Sequence, residues 1–216
     1  MPLRMMSELA LSGLLAVIAY LLGSIPFGVL VARLLHTKDP RTAGSRNIGF
    51  TNVLRVCGKT AGILTLTGDI GKGWLAGWGA VHLLEHEWWM LTVAFCVVLG
   101  HMYSLFLGLE GGKGVATAVG SVLGVAPSIG LPLVCIWLTA AAIWRYSSGA
   151  ALSAFCCLPI IALTIRPTGA FLSFSVILMS MILWRHRGNI ARLRNGTEPK
   201  IGQRTGSEER SDATAG

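Results

Sequence analysis

The chain has 216 residues, of which 53% are apolar and only 13% charged. That is about half the charge of a soluble domain, and it excludes a water-soluble globular fold. The formal net charge is +8, which in so apolar a chain points to an anionic lipid surface or an anionic substrate and away from nucleic acid.

The first apolar run, residues 9–35, carries no charge before Arg33. It exceeds the ~20 residues needed to cross ~30 Å of hydrocarbon. It is too long for a signal-peptide core and no small-residue cleavage site follows it, so it is expected to remain as a membrane helix. Further apolar runs occupy 60–84, 88–107, 115–131, 132–144, 150–165 and 169–184. Residues 115–144 admit two short crossings or one long kinked one, because Pro127, Gly130 and Pro132 interrupt them. The cysteines Cys57, Cys96, Cys135, Cys156 and Cys157 fit neither zinc spacing nor a disulfide framework, so they are read as reduced packing residues, and no metal site is expected.

Charge bias arbitrates, since cytoplasmic loops collect Lys and Arg. Arg33, Lys38, Arg41, Arg46, Arg55 and Lys59 follow the first run, and Arg185, Arg187, Arg192 and Arg194 follow the last. The acidic turn at Glu85, His86 and Glu87 belongs outside. Two crossings in the disputed stretch put Arg145 and the C-terminus inside as well. The expected fold is therefore an all-α, polytopic transmembrane bundle of seven helices, amino terminus outside and carboxy terminus cytoplasmic. Residues 1–204 form the membrane domain, and 205–216 form a polar tail expected to be disordered.

In this arrangement the polar loops 33–59 and 108–114, the turn 145–149 and the basic segment from Arg185 meet at one face. A one-sided polar cluster favours an interfacial enzyme. A transporter of an organic phosphate is the alternative, but transporters more often bind near the midplane between internal repeats, and none is visible here.

The stretch "LGLEGGKGVAT" (107–117) is not a P-loop: three residues separate Gly108 from the Gly112–Lys113 pair where four are needed, and Gly114 replaces the required hydroxyl. It precedes a helix expected from Val115, whose unpaired N–H groups favour an anion. With Lys113 it reads either as a phosphate cradle or as a flexible hinge with a snorkelling lysine. In "GSRNIGFTNVLR" (44–55), Ser45, Asn47, Thr51 and Asn52 can surround an oxyanion while Arg55 offers a fork to phosphate; the plainer reading is a turn capping the next helix.

Asp69 and Lys72, in "GDIGKG" (68–73), share a helix face. Asp69 lies about 15 Å along a helix starting at Lys59. Charges at that depth must face protein or water, as a functional site or as a structural pair. His101 could be a base, a phosphate donor or a structural group. His186 and Asn189 share a face if helical, among four arginines. His36, His82 and His86 have no comparable context. The pairs Gly73/Gly77 and Gly120/Gly124 are GxxxG spacings that suit helix packing.

Together "GSIPFG" (23–28), "SRNIGFTNVLR" (45–55), "GDIGKG" (68–73), "GHMYSLFLGLEGGKGVAT" (100–117) and "RHRGNIARLRNGTEPKIG" (185–202) resemble the bacterial acyl-phosphate:glycerol-3-phosphate acyltransferase (PlsY) family, in order along nearly the whole chain. The resemblance implies a multi-pass inner-membrane enzyme with its active site at the cytoplasmic face. It would move a fatty acyl group from acyl phosphate to the 1-hydroxyl of glycerol 3-phosphate, giving lysophosphatidic acid and phosphate, the first acylation of phospholipid synthesis. Neither coenzyme A, nor a metal, nor another cofactor is implied, and a monomer is compatible with it. The family's functional residues fall on Ser45, Thr51, Asn52 and Arg55, on Gly111, Gly112, Lys113 and Gly114, on Ser148, and on His186 and Asn189. Phe50, Gly108 and Glu110 depart from the pattern.

The chemistry is consistent with this resemblance: two anionic phosphates must be brought together, and one face supplies the cations. Lys113 and the glycine N–H groups would hold glycerol phosphate, assisted by His186 and Asn189. Ser45, Thr51 and Arg55 would hold the acyl phosphate and its developing oxyanion. Asp69, His101 or a substrate phosphate oxygen could act as base. A histidine-x4-aspartate acyltransferase is disfavoured, because no His has Asp five residues later.

Overall fold

The protein, seen here as a computed structural model, is described over residues 2–203, with side chains from Met5 onward; the expected tail 205–216 lies outside the described residues. All regular structure among the described residues is helical: α1 (Pro2–Ser24), α2 (Phe27–Leu34), α3 (Phe50–Cys57), α4 (Lys59–Leu83), α5 (Glu87–Met102), α6 (Val115–Val125), α7 (Pro127–Trp144), α8 (Ser147–Ile165), α9 (Gly169–Arg185) and α10 (Arg187–Arg194). Four segments are long and apolar enough to cross a membrane: Met5–Ser24, Glu87–Leu107, Pro127–Trp144 and Ser147–Ile165. The pair α9 and α10, bent by 62°, adds a fifth if counted as one broken span. Large apolar side chains such as Leu14, Val17, Leu131, Ile143 and Ile160 are exposed on these helices, as suits lipid contact and not water.

The first helix is shorter than expected. The run 9–35 is split at Ile25 and Pro26 into α1 and α2, because proline has no N–H to donate and disfavours helix at the residue before it. The carbonyls freed by the break find side-chain partners: Ser104 donates its hydroxyl to Ser24 O at 2.5 Å and Lys72 donates to Ile25 O at 2.8 Å. In a membrane such groups cannot turn to water. The disputed stretch is two helices, but the break falls at Ala126 and not at 131–132, and of the two only Pro127–Trp144 is long and apolar enough to cross a membrane. Pro127 occupies the first position of α7, where its missing N–H costs nothing. Gly130 then closes on the Leu123 side chain with no room for a Cβ.

The two GxxxG pairs pack against each other. A Cβ at Gly73 or Gly77 would overlap the backbone oxygen of Thr117 or Ser121, and one at Gly120 or Gly124 would overlap that of Ile70 or Trp74. Helices α4 and α6 therefore lie side by side with backbones in contact, running in the same direction. The largest buried side chains include Phe155, Phe171, Met102, Ile129 and Leu133, drawn from α5, α7, α8 and α9.

One end of the bundle gathers Glu8, which accepts from the N–H groups of Glu85 and His86 at 2.8 Å, and Glu87, paired with Arg166 at 2.6 Å. The opposite end gathers the α1–α2 break, residues 35–58, the loop after α5, the α7–α8 turn and residues 186–203 after α9.

Candidate active site

At the polar end, the segment before α3 is organised by one side chain. Asn52 accepts from Ser45 N–H at 2.8 Å, and donates to Pro40 O at 2.8 Å and Asn47 O at 2.9 Å. Asn47 in turn accepts from Gly49 N–H at 2.9 Å, which shapes the entry to α3. Gly44, at φ +60°, sits against the Asn52 amide where a side chain would collide. Asn52 is thus committed to loop structure, while Ser45 and Arg55 remain with unpaired side chains among the described residues. Thr51 shares a hydrogen bond of 2.8 Å with Ser147, tying α3 to the start of α8.

The glycine loop ends at Gly114, whose φ of +83° suits glycine, and α6 starts at Val115 as expected. Arg185 clamps this loop. It donates to Gly111 O at 2.7 Å and to Gly112 O at 2.8 and 3.1 Å, while its guanidinium lies over the Tyr103 ring. Gly112 N–H donates to His101 O at 3.1 Å, and a Cβ at Gly112 would overlap His101 Nε2. Glu110, the one acidic residue of the loop, is exposed and does not line the cavity described below.

Asp69, Lys72 and His101 form a buried triad: Lys72 Nζ lies 2.8 Å and His101 Nδ1 3.3 Å from the same carboxylate oxygen of Asp69. Lys72 faces the α1–α2 break and is not part of the cavity wall, whereas Asp69 and His101 are.

Behind the α9–α10 bend, Asn189 and Ser148 both donate to Glu198 Oε1 at 2.6 Å, and Arg192 donates to Glu198 Oε2 at 2.7 Å. Burial opposes ionisation of Glu198, yet the hydrogen bonds from Ser148, Asn189 and Arg192 hold its carboxyl below the ordinary range. Ile201 N–H donates to Arg145 O at 2.7 Å, which folds the segment after α10 back over the α7–α8 turn. Glu198 lines the cavity and was not among the site residues that sequence reasoning singled out. Its signal was present: it is the only acid in a run that holds Arg185, Arg187, Arg192, Arg194 and Lys200.

These pieces enclose a cavity of about 730 Å³. Of the expected site residues, Ser45, Asn47, Thr51, Asn52, Arg55, Asp69, His101, Lys113, Gly114, Ser148, His186 and Asn189 line it, whereas Gly111, Gly112 and Lys72 do not. Ser147, Arg192 and Glu198 line it too, and its apolar wall is built by Leu66, Ile70, Val119, Val134, Trp137 and Leu138 from α4, α6 and α7. Burial pushes Lys113 down to about 8, with Arg192, Arg185 and Arg55 adding to the depression and Glu198 opposing it. Burial, followed by the Lys113 charge, pushes His186 down to about 4, so its ring is neutral at pH 7. His186 Nδ1 lies 2.8 Å from Ile182 O; since a carbonyl only accepts, Nδ1 carries the proton and Nε2 is the acceptor. Among the described residues no group of three or more His, Cys, Asp or Glu could hold a metal. A pocket with facing cations at one end and an apolar wall at the other can hold a phosphorylated lipid or its two halves.

Comparison with known proteins agrees with this geometry. The family model described as glycerol-3-phosphate acyltransferase matches residues 13–196. A glycerol-3-phosphate acyltransferase of Jannaschia sp. (strain CCS1) is 48% identical over 202 residues, covering 94% of this chain and 98% of the relative. One of Burkholderia lata is 47% identical over 193 residues, covering 88% and 91%. Among solved structures, the integral membrane glycerol 3-phosphate acyltransferase PlsY in its glycerol 3-phosphate form superposes with a TM-score of 0.84 at 38% identity, over 88% of this chain and 96% of that one. Its lysophosphatidic acid form gives 0.82 at the same identity, over 88% and 95%. The protein is thus an all-helical, multi-pass membrane protein, and the chain belongs to the glycerol-3-phosphate acyltransferase family.

Proposed function

We propose that this acyltransferase takes its acyl group from acyl phosphate and transfers it to the 1-hydroxyl of glycerol 3-phosphate, releasing lysophosphatidic acid and inorganic phosphate. The observation that carries the reading is that Arg55 and Lys113, neither of them ion-paired among the described residues, line one cavity whose other wall is apolar. Two phosphates repel, and unpaired cations in a site of low dielectric can hold both close enough to react.

Lys113, Gly114 N–H and the start of α6 bind the phosphate of glycerol 3-phosphate. Arg55, with Ser45 and Thr51, binds the acyl phosphate, whose chain lies along Leu66, Val119, Val134 and Leu138. The glycerol oxygen attacks the acyl carbonyl, a C–O ester bond forms, and the C–O bond to phosphate breaks. The hydroxyl proton passes to a phosphate oxygen. His186 Nε2 accepts the hydrogen bond of a glycerol hydroxyl, and Asn189 and Ser148 are held in place by Glu198. Asp69, Lys72 and His101 brace the floor beneath the glycine loop. Gly111 and Gly112 shape that loop, and Asn47 and Asn52 shape the opposite one.

The same reading sets the protein in the bacterial inner membrane with seven crossings, the amino terminus outside and the site at the cytoplasmic face. Residues 1–204 are the catalytic domain. Family membership removes the transporter reading. The test of the donor is an assay of purified protein with glycerol 3-phosphate and either acyl phosphate or acyl coenzyme A. Turnover with the phosphate alone is expected, and turnover with the thioester alone sinks the assignment.

A further inference from the structure

We propose that Arg185 is a positioning residue for the reaction, which orients the peptide N–H of Lys113 toward the bound phosphate by holding the carbonyls of Gly111 and Gly112. The inference rests on the assignment of the Lys113 loop to glycerol 3-phosphate.

In a trans peptide the carbonyl and the following N–H point in opposite directions. Gly112 C=O and Lys113 N–H belong to one such plane, and Arg185 draws the carbonyl toward itself with two hydrogen bonds, of 2.8 and 3.1 Å. Lys113 N–H is therefore directed away from Arg185. It has no hydrogen-bond partner among the described residues, in a residue that lines the cavity. The preceding plane is fixed at both ends: Arg185 takes Gly111 O at 2.7 Å, and Gly112 N–H goes to His101 O. His101 is itself held against Asp69 and Lys72. The loop is thus gripped between the last residue of α9 and the buried triad, leaving one donor of this peptide pair free.

A planar fork serves both carbonyls at once in a fixed geometry, and lysine at 185 would keep the charge but not that geometry. Tyr103, whose ring lies 5.4 Å from the guanidinium carbon, keeps the fork in plane. Arg185 adjoins His186, so the same helix end sets both the glycine loop and the imidazole. A donor already aimed at an anion binds it without the cost of reorganisation.

The experiment compares the KM for glycerol 3-phosphate with that for acyl phosphate in wild type, Lys113→Ala, Arg185→Lys and Tyr103→Leu. Lys113→Ala comes first: if it leaves the glycerol 3-phosphate KM unchanged, the loop assignment fails and the inference falls with it. With that assignment intact, Arg185→Lys is expected to raise the glycerol 3-phosphate KM about tenfold while the acyl phosphate KM stays within twofold. Tyr103→Leu is expected to shift it the same way by about threefold, and it carries the test if Arg185→Lys does not fold. Wild-type kinetics in the variant that folds, equal changes in both KM values, or a fall in kcat alone overturns the inference.

Discussion

Asn189 donates its side-chain amide to Glu198 at 2.6 Å, and Ser148 shares the same oxygen. A carboxylate outside the bundle proper thereby fixes two residues that line the cavity. Glu198→Gln would present an amide where two donors now meet an anion. The expected cost is about 2 kcal/mol, within the range for a hydrogen bond to a charged group, or a fall of roughly 4–8 °C in unfolding temperature. Because the folded carboxyl titrates below its ordinary 4.5, its contribution is complete above that value and is lost as pH falls through the folded one. Unfolding of wild type and variant in detergent between pH 7 and pH 4 should show the gap between them closing on the acid side.

Lys113 sets an alkaline limit. With its ammonium titrating near 8 in the free protein, the cation fraction falls tenfold per pH unit above that value. A phosphate monoester is already a dianion there, since its second pKa is about 6. The KM for glycerol 3-phosphate should therefore be flat near pH 7 and rise above pH 8. Lys113→Ala should raise the KM roughly 10–100-fold at pH 7, the equivalent of one charge-assisted hydrogen bond, and should abolish the alkaline rise. Initial-rate kinetics from pH 6.5 to 9.5 decide the matter.

The contact of α4 with α6 tolerates no side chain at its glycines. Gly73→Ala or Gly120→Ala would drive a methyl into a backbone carbonyl of the neighbouring helix, an overpacking worth about 3 kcal/mol. Gly79→Ala, on the same α4 with open space at its Cβ, should be neutral or slightly stabilising. Unfolding temperatures of the three variants, measured side by side, test the packing without reference to activity.

The apolar wall should read chain length. Val119 is buried and lines the cavity from α6, so Val119→Phe takes space from the apolar wall. We expect kcat/KM for long acyl phosphates to fall at least tenfold relative to short ones, with the KM for glycerol 3-phosphate unchanged. Competition between donors of different length supplies the ratio.

Much of this was legible in one dimension. The apolar runs, the helix starts at Lys59 and Val115, and the two GxxxG pairs follow from local spacing, which a helix converts directly into faces and lengths. The break of the first run at Pro26 was missed, because the run's uniform hydropathy masks the proline. The position of the α6–α7 turn was not legible either, since Pro127, Gly130 and Pro132 are equally plausible breakers until Gly130 is seen against Leu123.

Among site residues, composition identified the polar groups but not their duties. Asn52 looked like a ligand and is occupied by Ser45, Pro40 and Asn47; Lys72 looked like part of the site and serves the helix break. Arg185 was read only as one cation of the basic segment and Glu198 was not read at all, because their partners at Gly111, Gly112 and Ser148 lie far away in sequence. The sequence by itself determined a membrane bundle with its cations collected at one end, because hydropathy and charge act residue by residue. Only the tertiary structure decided which cations face the cavity and which are spent on carbonyls and carboxylates. Hydrogen bonds are short and directional, and their partners come together only when the helices pack.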